Sequence, residues 1–167
     1  ELDLLFKLYN EGLRDIADDE RIHKNKVKVQ VIGRRELLPK IVTDAIDYAE
    51  QKTADYDKFV FTVCLAYGSR EEMLNAIQSI AEEHAAGDLP LESIDEKAVS
   101  ERLYTGEMPD PDLVIRTSGE ERISNFLLWQ MAYSELYFTD VYWPSFQKKD
   151  LLKAVRTFQE RKRRYGE

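Results

Sequence analysis

Residues 112–130 read DLVIRTSGEERISNFLLWQ, and three different patterns follow one another in this stretch. Leu113–Ile115 is an apolar run of the kind that forms a buried strand. Arg116 follows this run directly, and a small polar loop leads to a second arginine, Arg122. The sequence then becomes almost wholly apolar, which predicts a packed helix. A strand, a polar loop and a helix in this order predict one unit of a parallel α/β sheet.

The rest of the chain alternates between helical and strand patterns in the same way. Apolar residues at helical spacing predict helices over residues 2–22, 36–53, 69–86, 95–103 and 149–164. Alternation over residues 27–31 predicts a half-buried strand, and the apolar run 58–66 predicts a strand covered on both faces. We therefore expect a mostly parallel sheet with helices on both faces. Ligands of such sheets bind beyond the carboxyl ends of the strands, here residues 66–70 and 116–120.

The composition is that of a single domain in a reducing compartment. The chain has 167 residues, 43% of them hydrophobic, without repeats or linkers, so we expect one domain over residues 1–167. The formal net charge of −8 argues against a nucleic-acid-binding protein, which is usually basic. Cys64 is the only cysteine, which excludes an intrachain disulfide and favours a cytoplasmic location. No stretch approaches the roughly 18 consecutive apolar residues of a membrane span.

The loop after Arg116 has the features of a site for a doubly charged phosphate group. Arg116 lies at the carboxyl edge of the predicted strand, where ligands of parallel sheets bind. Residues 117–119 are small, so their backbone N–H groups can approach a ligand closely. Ser124 or Asn125 can cap the next helix, whose first free N–H groups attract an anion. Together with Arg122, these groups predict a diphosphate site.

A second interpretation of the same loop stays open. Arg116 and Arg122 can instead form ion pairs with Glu120 and Glu121 on an ordinary surface loop. Two arginines in one loop are only moderately specific for phosphate, so these residues alone do not decide between the two interpretations.

Glu135 lies in a largely apolar and aromatic segment, residues 126–143. A carboxylate in such surroundings is costly unless it meets a cation or a hydrogen-bond donor. Mg²⁺ that also binds a diphosphate would meet this need, because Mg²⁺ prefers one or two carboxylates together with phosphate oxygens. A structural ion pair with an arginine is the alternative. The segment has more apolar surface than one face can bury internally, which favours a subunit interface.

Three segments of the chain carry a resemblance to a known family. Residues 112–144, Tyr67–Arg70 and the ending Arg161–Gly166 closely resemble the signature of the cis-prenyltransferases. This family includes undecaprenyl diphosphate synthase and the dehydrodolichyl diphosphate synthases. The resemblance implies their fold and a reaction in which isopentenyl diphosphate extends an allylic diphosphate by one cis isoprene unit. It also implies a polyprenyl diphosphate product, a lipid carrier precursor through which the protein can contact a membrane.

The resemblance also implies roles for individual residues. The matching positions are Arg116, Arg122 and Ser124 for isopentenyl diphosphate, Glu135 for the catalytic Mg²⁺, and Arg164 and Gly166 for a tail that reaches the partner's active site in a homodimer. Glu121 departs from the bacterial members, which have a histidine at that position, so no role is carried over to it.

The family's amino-terminal part has no counterpart in this sequence. That part contains an Asp-Gly-Asn-Arg-Arg segment with a magnesium-binding aspartate, whereas this chain opens in helical phase without a methionine. We therefore expect residues upstream, and a chain that is the carboxyl-terminal part of an enzyme. A non-catalytic subunit that dimerises with an active chain is the alternative. Such subunits generally lose the arginine loop, so its presence here favours the enzyme.

Overall fold

The computed structural model describes residues 2–106 and 108–161, and these residues form six α-helices and four β-strands. The helices are α1 (Leu2–Asp18), α2 (Glu20–Asn25), α3 (Lys40–Lys52), α4 (Ser69–Ala86), α5 (Glu96–Ser100) and α6 (Lys148–Glu160). The strands are β1 (Val27–Ile32), β2 (Phe59–Cys64), β3 (Leu113–Arg116) and β4 (Glu135–Phe138). The chain divides into two compact units, with the division between Glu72 and Met73. No helix in the described ranges is long and apolar enough to cross a membrane.

The first unit is built on the parallel pair β1–β2, with α3 packed on β1 and on α1. Every residue of β1 has a partner in β2, starting with Val27 opposite Phe59. The alternation predicted for β1 is confirmed, because Val29 and Val31 are buried and their neighbours are only partly so. Side chains from α1, β1, α3 and the end of β2 form the main core: Leu13, Val31, Val42, Ala45, Ile46 and Leu65.

Gly33 brings the carboxyl ends of β1 and β2 together. Its φ is +122°, and a Cβ at this position would lie 2.0 Å from the carbonyl oxygen of Leu65. Only glycine fits, because this φ disfavours other residues and the neighbouring group is backbone that cannot turn aside. The next residue, Arg34, donates its backbone N–H to the Ala66 carbonyl oxygen at 3.3 Å. Residues 66–70, one of the two strand ends where we expected a ligand to bind, therefore begin beside the end of β1.

Two polar side chains attach the end of α3 to the edge of β1 that does not pair with β2. The buried hydroxyl of Thr53 accepts the Val29 N–H at 2.9 Å and donates to the Ala49 carbonyl oxygen at 2.9 Å. Glu50 accepts the Val31 N–H at 2.8 Å. Without these acceptors both N–H groups would lack a hydrogen-bond partner inside the protein, which would lower its stability.

The second unit is built on the parallel pair β3–β4, and α6 packs against β3. Leu113 lies opposite Glu135, and Arg116 lies opposite Phe138. Both strand pairings among the described residues are parallel, so the predicted α/β fold with parallel strands and helices is confirmed. The described strands form two separate two-stranded sheets, β1–β2 and β3–β4.

The helix predicted after Ser124 is wrong, because residues 124–133 form turns and bends. Ser124, Asn125 and Leu127 have positive φ angles of 52°, 62° and 46°. Left-handed residues interrupt the repeating i to i−4 hydrogen bonds of a right-handed helix. The turns lead into β4, a strand that the apolar pattern of this segment did not predict.

The expectation that β2 is covered on both faces is also wrong for the described residues. Phe59, Val60 and Phe61 are 54%, 49% and 44% exposed. Within the described ranges β2 pairs with β1 alone, so its other edge carries no strand. An apolar run indicates that a strand is suited to burial, and does not identify what covers it.

Two helix boundaries differ from the prediction for local reasons. The first predicted helix, residues 2–22, is divided into α1 and α2 at Asp19, whose carboxylate accepts the Arg21 N–H at 2.8 Å and caps α2. The second begins at Lys40 and not at residue 36, because Pro39 is its N-cap and has no N–H to continue a helix from the preceding turn.

Candidate functional site

Arg116 and Arg122 line one cavity in the second unit. Arg116 is the last residue of β3, and the loop that follows returns Arg122 to the same cavity. The volume of this cavity is about 80 Å³. The structure thus brings together the two arginines that the sequence predicted to act together.

The other walls of this cavity are apolar. The lining residues besides the arginines are Val114, Ile115, Ile123, Phe126, Met131, Leu136 and Phe138. Apolar walls lower the local dielectric constant, which strengthens the hydrogen bonds of a guanidinium to an anion. A cationic end and an apolar lining suit a ligand that carries a phosphate group on a short hydrocarbon.

Arg122 forms an ion pair with Glu120. This is one of the ion pairs expected if the segment were an ordinary surface loop. The Arg122 side chain is 66% exposed and the Glu120 side chain 38% exposed. Ion pairs at this exposure contribute about 0–1 kcal/mol, because water competes with both partners. A multiply charged anion can therefore replace Glu120 at little cost.

The backbone N–H groups of Ser118 and Gly119 do not point to a ligand, contrary to prediction. Ser118 donates to the Val141 carbonyl oxygen at 2.9 Å, and Gly119 donates to that of Thr139 at 3.0 Å. Both donors lie in the left-handed region, with φ of 69° and 68°. These bonds attach the loop to the segment after β4, so they fix the shape of the loop after Arg116.

Ser124 is exposed and is not among the residues that line the cavity. Because no helix begins beside it, the predicted helix N-terminus that would attract an anion is absent from residues 121–134. The role of Ser124 in binding isopentenyl diphosphate stays a prediction. Arg164 and Gly166 lie outside the described residues.

Glu135 begins β4 and faces the end of α6. Its Oε2 accepts a hydrogen bond from Nη1 of Arg161 at 2.7 Å, and the same Nη1 donates to the Leu136 carbonyl oxygen at 3.0 Å. The Glu135 side chain is 25% exposed. The structural ion pair that was the alternative to a metal at this position is therefore formed. Sequence reasoning missed Arg161 as its partner, since Arg161 was considered only as the first residue of the ending that resembles the family signature.

The described residues contain no group of three or more His, Cys, Asp or Glu side chains that could hold a metal ion. Among the described residues, Glu135 therefore belongs to no cluster of three or more such side chains. This donor set fits a Mg²⁺ ion that takes most of its ligands from a diphosphate and water, and does not fit an ion that the protein alone encloses.

The thiol of Cys64 takes no part in this chemistry. Burial raises its pKa to about 11, and the carboxylate of Glu72 adds to this effect. The thiol is therefore protonated at neutral pH, when it is a poor nucleophile. Cys64 is therefore a small structural residue at the end of β2.

The whole sequence is similar to one protein family. Residues 1–166 match the prenyltransferase family described as "Putative undecaprenyl diphosphate synthase". The chain is 51% identical to a tritrans,polycis-undecaprenyl-diphosphate synthase (geranylgeranyl-diphosphate specific) of Methanocaldococcus jannaschii, over 99% of this chain and 60% of that protein. It is 52% identical to the synthase of the same name from Pyrococcus horikoshii, over 99% of this chain and 63% of the relative.

A solved structure shows the same relationship. The crystal structure of lavandulyl diphosphate synthase from Lavandula x intermedia, in complex with dimethylallyl diphosphate, superposes with a TM-score of 0.92 at 34% identity. The match covers 99% of this chain and 71% of that one. The chain spans 60–63% of the length of the two curated archaeal relatives named above.

Proposed function

The chain belongs to the undecaprenyl diphosphate synthase family, and we propose from this premise that it forms the isopentenyl-diphosphate-binding part of a cis-prenyltransferase. The enzyme would add isopentenyl diphosphate to an allylic diphosphate with cis geometry and release a polyprenyl diphosphate. The observation that carries this proposal is the small cavity at the end of β3, where Arg116 and Arg122 meet apolar walls. Its cationic end suits the diphosphate of isopentenyl diphosphate, and its walls suit the five-carbon group.

The two arginines would hold the diphosphate through charge-assisted hydrogen bonds, which are strongest when a guanidinium binds two oxygens at once. Half-buried Arg116 is fixed at the end of a strand, so it sets the position of the ligand. Arg122 exchanges Glu120 for the ligand and closes over it. Mg²⁺ at Glu135 would neutralise the negative charge of a diphosphate.

Calorimetric titration of isopentenyl diphosphate into the full-length protein tests the arginine assignment. We expect Arg116→Ala and Arg122→Ala each to weaken binding by about 1.5–3 kcal/mol, the range for hydrogen bonds to charged groups. Arg156→Ala is the control, because Arg156 pairs with Glu160 on exposed α6 and lies outside the cavity. Unchanged affinity in both site variants would make the loop an ordinary surface loop.

The rate of prenyl transfer against Mg²⁺ concentration tests the metal assignment. We expect Glu135→Gln to lower turnover and to change the Mg²⁺ dependence, since the amide keeps the shape of the side chain and removes its charge. The fold should survive, because the pair with Arg161 is partly exposed and contributes little to stability. A variant with the Mg²⁺ dependence of the wild type would leave Glu135 as a purely structural residue.

We further propose a homodimer in which the tail acts on the partner subunit. Exposed aromatic side chains support an interface in the second unit: Tyr133, Tyr142 and Trp143. The family resemblance implies that Arg164 and Gly166 act at the partner's site. Mixing chains truncated before Arg164 with Arg116→Ala chains tests this directly. A tail that acts in trans restores about one working site per mixed dimer, whereas a tail that acts on its own subunit restores none.

A further inference from the structure

Arg161 connects the end of α6 to the start of β4 through two hydrogen bonds of one nitrogen atom. Nη1 donates to Glu135 Oε2 at 2.7 Å and to the Leu136 carbonyl oxygen at 3.0 Å. Arg161 is the C-cap residue of α6, so the guanidinium reaches β4 from the point where the helix ends. The carboxylate and the neighbouring peptide carbonyl oxygen together form a small acceptor site that one cation fills.

The Arg161–Glu135 ion pair differs from two other ion pairs of the second unit, that of Arg122 on the arginine loop and that of Arg156 on α6. Arg122 and Arg156 pair with residues two and four positions away, and their side chains are 66% and 80% exposed. Arg161 reaches a residue of another element, and the two side chains are 44% and 25% exposed. It is therefore the better shielded pair, and it competes more strongly with any other cation for its carboxylate.

We propose that Arg161 and the metal ion are alternative partners of Glu135, so that the ion pair is a latch that metal binding opens. The inference rests on the proposed function, since it takes Glu135 as the metal carboxylate. One carboxylate carries a single negative charge, which cannot neutralise both a guanidinium and a divalent ion. Both cations would lie within a few ångströms of the same oxygens, where they repel each other.

Opening the latch has a low cost on the protein side. Both side chains are partly exposed, so water can solvate Arg161 and the Leu136 carbonyl oxygen once they separate. Mg²⁺ requires close, nearly octahedral oxygen ligands, and a carboxylate held by a guanidinium is not free to provide one. In the metal-free protein the latch attaches the C-terminal end of α6 to β4, and in the metal-bound protein that end is released.

The test uses Mn²⁺ as a paramagnetic substitute for Mg²⁺, titrated into the full-length protein while electron paramagnetic resonance reports the free ion. We expect Arg161→Gln to bind Mn²⁺ about two- to five-fold more tightly, which corresponds to the loss of a partly exposed ion pair. Arg161→Lys keeps a cation beside Glu135 and should bind Mn²⁺ as the wild type does. Arg156→Gln makes the same change in net charge on the same helix and should also leave the affinity unchanged.

The outcomes separate this inference from the proposed function. If Glu135→Gln abolishes a Mn²⁺ site while Arg161→Gln leaves its affinity unchanged or weaker, the latch is overturned and Glu135 keeps its metal role. If Glu135→Gln leaves Mn²⁺ binding unaltered, both the latch and the metal assignment are overturned. Equal tightening in Arg161→Gln and Arg156→Gln would show a general effect of net charge, which also rejects the latch.

Discussion

The strand pairs β1–β2 and β3–β4 have the same parallel pairing, yet they use their side chains in different ways. In the first unit β1 is packed under α3, Val29 and Val31 are buried, and Thr53 and Glu50 accept the N–H groups of these two valines. In the second unit every residue of β3 is only partly buried, and the strand ends in an arginine that lines a cavity. One pair satisfies its polar groups within the chain, and the other ends in an arginine that lines a cavity.

This difference predicts which substitutions affect stability and which affect binding. Residues of the first unit contribute fixed backbone geometry and satisfied buried donors, both of which are costly to remove. Residues at the end of β3 contribute charge at a partly exposed edge, where removal costs little in folding. Each of the following experiments either sharpens that division or breaks it.

The largest expected effect is on Gly33. Gly33→Ala should lower the free energy of unfolding by about 3–5 kcal/mol, because the added methyl group both strains the backbone and meets backbone atoms. Gly12→Ala is the matched control, since nothing lies within 4 Å of a Cβ in the middle of α1. It should stabilise the protein by about 0.5–1 kcal/mol, as alanine does in a helix interior. Urea unfolding of both variants measures the contrast, and equal stability in the two would refute the account of Gly33.

Thr53→Val should have the next largest effect on stability. The substitution keeps the shape of the side chain but leaves the buried Val29 N–H without its acceptor, which costs about 1–3 kcal/mol. Thr157→Val removes a hydroxyl that donates to the Lys153 carbonyl oxygen on the exposed face of α6. That control should change stability by less than about 0.5 kcal/mol. Thermal unfolding that ranks the two variants in the opposite order would contradict the role given to Thr53.

Arg122→Ala should have almost no effect on stability, despite its effect on ligand binding. Its ion pair with the partly exposed Glu120 contributes little, so the change should stay within about 0.5 kcal/mol. Thr53→Val should show the reverse, with reduced stability and unchanged affinity for isopentenyl diphosphate. A clear loss of stability in Arg122→Ala would mean that the arginine loop also supports the fold, and the division between the two units would fail.

The smallest expected effect concerns acid unfolding. Hydrogen bonds from the Arg21 side chain and backbone lower the pKa of Asp19 from its usual 3.8 to about 2. Because the folded carboxylate has the lower pKa, its contribution to stability is present above about pH 4 and is lost as the pH falls through about 2. Asp19→Asn keeps a capping oxygen without the charge. Its stability should therefore fall less between about pH 5 and pH 2 than that of the wild type, as urea unfolding at both pH values would show.

Patterns that report local backbone preference predicted much of the fold. The helix α4 begins and ends where its sequence pattern predicted, and the valines of β1 alternate as expected. The return of Arg116 and Arg122 to one cavity was predictable as well, because a residue that directly follows a buried strand must lie at the carboxyl edge of the sheet.

The remaining differences depend on contacts that no local pattern contains. The exposure of Phe61 reflects which strands lie beside β2, and its own side chain gives no information on that point. The left-handed Ser124 and Asn125 belong to a turn whose course is set by where β4 pairs with β3. Arg161 became a partner of Glu135 only because α6 ends beside β4. In each case a long-range contact overrides the local preference.

The parallel register of β3 and β4 has a consequence for the order in which the protein folds. The segment 117–134 must close as a loop before Leu113 can lie opposite Glu135, and parallel strand pairs with such separations form slowly. Arg122 belongs to the closing segment, so the arginine cavity is absent until that step is complete. Under the proposed function, a diphosphate would therefore bind only the finished chain, and at a hundred times its dissociation constant it would stabilise that chain by about 2.7 kcal/mol. The proposed substrate would thus be the final stabilising element of the fold that binds it.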